Sequence, residues 1–111
     1  MPRPKRLRFV SDHPTINAFI PEGLPYTGEV TLSVEELEAI RLSDVEKLDQ
    51  ETAADIMNVS RQTYGRILSN ARSIIGNALV AGKILKIEGG NYEIRGRRRH
   101  RNRRGRGRSP F

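Results

Sequence analysis

The sequence predicts a mainly α domain: three helices, preceded by an extended N-terminal arm and followed by a small C-terminal β-hairpin. Three observations lead there. Five of the six prolines (Pro2, Pro4, Pro14, Pro21, Pro25) lie in the first 25 residues, where they argue against helix. Counted from Tyr64, apolar residues recur at offsets 0, 3, 4, 7, 10, 11, 14 and 15, an unbroken helical stripe. Two β-prone pieces flank Gly89-Gly90, a two-residue hairpin signal. With 111 residues the chain has the size of one small domain.

The arm, residues 1–32, carries three weak strand candidates between its prolines and glycines, at 7–10, 16–20 and 29–32. The helical domain follows at 33–82. Ser33 and Glu36 have capping-box spacing, and Glu35, Glu36 and Glu38 suit the positive end of a helix on an exposed face. Val34, Leu37, Ile40, Val45 and Leu48 make an intermittent stripe, which predicts a first helix running to about Glu46–Lys47. Asp49 caps a short second helix over 50–57, and Asn58 suits the sharp turn after it. Ser60 caps the third helix, which carries the stripe Tyr64, Ile67, Leu68, Ala71, Ile74, Ile75, Ala78 and Leu79 up to Gly82. The hairpin is expected at 83–94, packed on the helices or the arm. The stretch 95–111 has one large apolar residue, Phe111, and is expected to be a disordered arginine-rich tail.

Charge is distributed unevenly. The chain carries a formal net charge of +7. Residues 1–8 hold four cations and residues 95–108 nine arginines, with no acid in either stretch. All 13 acids lie between Asp12 and Glu93. Nine of them fall in 29–55, whereas 56–87 holds five cations and no acid. A polyanion is repelled by the first of these stretches and attracted by the second.

Several classes are excluded or disfavoured. Without cysteine there are no disulfides, thiolate metal sites or cysteine nucleophile. No apolar run approaches a membrane span, and the basic start MPRPKRLRF leads into no apolar segment, so a soluble cytoplasmic protein is expected. His13 and His100 are far apart, and Gly89-Gly90 lacks the lysine and spacing of a phosphate loop. No enzyme activity, cofactor or metal is expected, and no membrane partner.

Helix two, the turn at Asn58-Val59 and helix three together meet the demands of a helix-turn-helix. Ala53 and Ala54 are small where two helices cross, Met57 is apolar, and Tyr64 and Ile67 anchor helix three. Helix 60–81 is then the recognition helix. Its outward residues are Ser60, Arg61, Gln62, Thr63, Gly65, Arg66, Ser69 and Arg72. Arg61 or Arg66 suits a bidentate contact to guanine, and Gln62 suits adenine. Ser60, Thr63, Ser69 and Arg72 suit phosphates. Gly65 costs about 1 kcal/mol in mid-helix, which points to close approach of a DNA backbone or another helix. Arg3, Lys5, Arg6, Arg95, Arg97, Arg98 and Arg99 are expected to make non-specific phosphate contacts.

The opening MPRPKR and the segment from LSVEELEAIRL to KILKIEGG closely resemble the prokaryotic uncharacterised protein family 0251, also called domain of unknown function 134. The resemblance covers residues 1–90. It implies a DNA-binding protein whose helix-turn-helix is similar to the fourth region of sigma factors. Two departures stand out. Members often carry a cysteine near the start, in the neighbourhood where Leu7 and Arg8 stand here, and some have a downstream domain similar to iron–molybdenum cofactor biosynthesis proteins where this chain has its arginine tail.

The expected function is therefore sequence-specific duplex DNA binding, as a transcriptional regulator. One alternative is an RNA-binding or non-specific nucleic-acid-binding protein driven by the tail. Another is a sigma-like protein-interaction module that uses the acidic face of helix one. A homodimer is open, either through the late apolar stripe (Ile74, Ile75, Ala78, Leu79) or not at all if that stripe packs inside.

Overall fold

The computed structural model describes residues 7–23 and 28–95. Five short strands and three helices follow one another as β1 (Arg8–Val10), β2 (Ala18–Phe19), β3 (Glu29–Leu32), α1 (Val34–Ile40), α2 (Gln50–Met57), α3 (Arg61–Ala81), β4 (Ile84–Ile87) and β5 (Tyr92–Ile94). The architecture is mixed α/β, which corrects the mainly α expectation. The pieces read as a loose arm supply three of the five strands.

The strands on either side of Gly89-Gly90 do not pair with each other. β4 lies at the centre of a three-stranded sheet, antiparallel to β2 and parallel to β3, with Leu32 opposite Ile87. β5 pairs in parallel with β1, placing Arg8 beside Tyr92. The physical reason lies at the glycines. Val34 N–H donates to the Gly89 carbonyl at 3.0 Å, and Asn91 N–H donates to Glu35 Oε1 at 2.9 Å. Gly90 has φ +114°, and a Cβ there would collide with the Glu35 carboxylate. The glycines let the chain pass close over the start of α1, which sends β5 away from β4.

α1 opens with the expected capping box between Ser33 and Glu36. Its α-helical part stops at Ile40, but the helical run continues to Val45 with Glu46 as its cap, close to the end expected from the stripe. After Ile40 the helix widens into a π-helical turn, Arg41–Val45, in which Glu46 N–H donates to the Arg41 carbonyl at 2.8 Å. Lys47, at φ +62°, then reverses the chain. α2 and α3 have the expected bounds and caps: Asp49, Ser60, and left-handed Asn58 and Gly82.

Two apolar clusters hold the fold. Ala39, Leu42, Ala53, Ala54, Met57, Tyr64 and Leu68 fill the space among the helices. Leu32, Ala71, Ala78, Leu85 and Ile87 lie between α3 and the three-stranded sheet. The stripe on α3 therefore serves both. Its first half packs on helices and its second half on β-structure. A sheet was needed to cover that second half, and the strands around it provide one.

Candidate nucleic-acid interface

The helix pair is built from local rules. Asp49 accepts the Thr52 N–H at 2.8 Å and fixes the start of α2. Left-handed Asn58 turns the chain, Val59 packs into the helical cluster, and Ser60 accepts the Thr63 N–H at 3.0 Å to start α3. Tyr64, with no exposed surface, then anchors the helix. Its hydroxyl donates to the Ala39 carbonyl at 2.9 Å and lies 2.5 Å from Ser43 Oγ.

With that side anchored, the opposite side of the first turns faces outward. Arg61, Gln62, Arg66 and Ser69 are exposed, and no hydrogen bond or ion pair within the described residues engages their side chains. Ser60 is exposed and Thr63 half-buried, and their hydroxyls are bonded to each other at 3.0 Å. Gly65 faces the neighbouring helix: a Cβ there would lie 3.4 Å from Gln50 Oε1, in ordinary contact.

The remaining expected contacts are placed differently. Arg72 is exposed but held by Asp44. Arg95 pairs with Glu93 at 3.3 Å and lies 4.6 Å over the Phe9 ring. Arg3, Lys5, Arg6, Arg97, Arg98 and Arg99 lie outside the described residues, as does the tail from residue 96. The late stripe is mostly inside: Ala78 is buried, and Ile74 and Ile75 pack on the sheet cluster. Leu79 and its neighbour Val80 are exposed.

The acids of α1 are a second correction. Glu35 and Glu38 are buried, not displayed on an open face. Glu35 accepts Arg8 Nη1 at 2.8 Å, and Glu38 accepts Ser11 Oγ at 2.9 Å and Arg41 Nε at 3.0 Å. β1 and the segment after it cover that face. Sequence spacing gave no signal for these partners, since Arg8–Glu35 and Ser11–Glu38 each span 27 residues. A hollow of about 250 Å³ is lined by Arg8, Asn58, Val59, Ser60 and Thr63, so β1 also begins beside the turn into α3.

The surface is thus polarised. α3 presents arginines and no acid, whereas α2 exposes Glu51 and Asp55 beside it. Of these two helices, α3 is the one that attracts an anion.

Comparison with known proteins places the chain. The model of the family described as "Protein of unknown function DUF134" matches residues 1–95. The chain belongs to the DUF134 family. Similar DUF134 chains include the UPF0251 protein of Caldanaerobacter subterraneus subsp. tengcongensis, 50% identical over 98 residues that cover 86% of this chain and 83% of the relative. That of Thermoanaerobacter sp. (strain X514) is 49% identical over 112 residues, covering 95% of this chain and 99% of its own. The Clostridium tetani relative is 50% identical over 94 residues, covering 83% of this chain and 64% of its own length. No solved structure matches significantly. Among the described residues of this DUF134 chain, no helix is long and apolar enough to cross a membrane.

Proposed function

We propose that this DUF134 protein binds duplex DNA at specific sequences and regulates transcription. In this reading α2, the turn and α3 act as a helix-turn-helix, and the first turns of α3 enter the major groove. The observation that carries it is the set Arg61, Gln62, Arg66 and Ser69: exposed, and without a side-chain hydrogen bond or ion pair within the described residues, on a helix anchored from behind by Tyr64. Arginine and glutamine are the side chains whose paired polar atoms match the guanine and adenine edges. The acid-free run 56–87 supports the same reading, because no carboxylate on that helix repels phosphate.

The test is selection by the full chain from a pool of fragmented genomic duplex. A discrete subset of fragments is expected to be retained. On a retained fragment, Arg66→Ala should weaken binding by about 1–3 kcal/mol while leaving the helical signal unchanged. Retention of all fragments alike, with RNA competing equally and Arg61→Ala and Arg66→Ala without effect, would overturn the reading in favour of tail-driven binding.

A further inference from the structure

Arg72 lies 11 residues beyond Arg61, three helical turns on and nearly in line with it, about 16 Å along α3. It therefore shares an edge of the helix with the proposed reading residues. Yet its guanidinium is already occupied. Nη2 donates to Asp44 Oδ1 at 2.6 Å and Nε donates to Oδ2 at 3.2 Å, a two-pronged contact across 28 residues. Asp44 is brought there by the π-helical turn, the same turn that sets Ser43 against Tyr64.

Both partners are solvent-accessible, at 54% for the Arg72 side chain and 40% for Asp44. The guanidinium fork meets carboxylate and phosphate oxygens with the same geometry. We propose that Asp44 is an intramolecular substitute for a DNA phosphate, one that keeps Arg72 out of the contact with duplex. This inference rests on the DNA-binding reading above and adds a restraint to it. Arg61, Gln62 and Arg66 are left free to read bases, and one sequence-independent attachment is withheld. A phosphate contact strengthens binding to every sequence alike. Withholding one shortens residence on the large excess of competing sites.

The experiment is a salt titration of the full chain on a retained duplex, with four proteins compared. Wild type and Arg72→Ala are expected to share one slope of log affinity against log salt. Asp44→Asn releases Arg72 and should steepen the slope by about 0.9, so that it loses about 3.5-fold more affinity than wild type between 50 and 200 mM salt. Asp44→Asn combined with Arg72→Ala should return to the wild-type slope. Glu88→Gln, an equal change of charge at an exposed position, should leave the slope as it was.

Three results overturn the inference: a shallower slope for Arg72→Ala alone, an unchanged slope for Asp44→Asn, or equal steepening by Glu88→Gln. Each of these requires that wild type binds duplex, so the DNA-binding reading survives them. If wild type retains no duplex at all, that reading falls and takes this inference with it.

Discussion

Tyr64 shows how one side chain can hold three elements in register. Its ring fills the helical cluster, and its hydroxyl joins the Ala39 carbonyl of α1 to Ser43 of the π-helical turn. Tyr64→Phe keeps the packing and removes both bonds, so unfolding should become easier by about 1 kcal/mol, read from urea midpoints. Burial raises the Tyr64 pKa, and the Ser43 hydrogen bond offsets part of that. A raised pKa in the folded state means that its contribution is complete below the ordinary tyrosine value of about 10 and is lost as pH rises beyond it. The alkaline decline in stability should therefore be shallower in Tyr64→Phe than in wild type. Gly90 is as constrained as Tyr64 for a different reason. Gly90→Ala combines an unfavourable φ with a collision against Glu35, and should cost roughly 1–3 kcal/mol or more by thermal or urea unfolding.

Among elements, the helix ends were the most legible part of the sequence. Ser33 with Glu36, Asp49, Asn58, Ser60 and Gly82 act through neighbours at most five residues away, so spacing alone identifies them. The π-helical turn was not legible. Its contacts to Tyr64 and Arg72 lie 21 and 28 residues off, beyond any local pattern. The hairpin misreading has a similar cause. Gly89-Gly90 does adopt positive φ, as a tight turn would, but the conformation serves passage over Glu35. Lys47 gives an element-scale prediction. A lysine in the left-handed region costs about 1–2 kcal/mol, and glycine loses part of that gain through its freer unfolded state. Lys47→Gly should therefore raise stability by less than about 1 kcal/mol, measured by thermal unfolding, without moving α2.

At the scale of the whole molecule, α3 is shared by both apolar clusters through Tyr64, Leu68, Ala71 and Ala78. Each cluster loses buried members if that helix is disrupted. Leu68→Ala should cost about 2–5 kcal/mol, and the NMR signals of β4 and of α2 should still disappear in one coincident transition along a urea titration. Separate transitions would show that the sheet and helices unfold independently. The same helix explains why the exposed set on α3 was legible. A 3.6-residue period fixes which side is buried, so the outward set from Arg61 to Ser69 follows from the stripe. The occupation of Arg72 did not follow, because Asp44 reaches it from another element.

The parallel pairing of β1 with β5 has a consequence for how the chain is made. Synthesis at about 5–20 residues per second delivers Tyr92 roughly 4–17 s after its partner Arg8. The helices can gather during that interval, each from contacts already emerged. β1 has no strand partner until residues 92–94 have been made. The β1–β5 pairing therefore cannot form before residues 92–94 exist, however fast the strands themselves can pair.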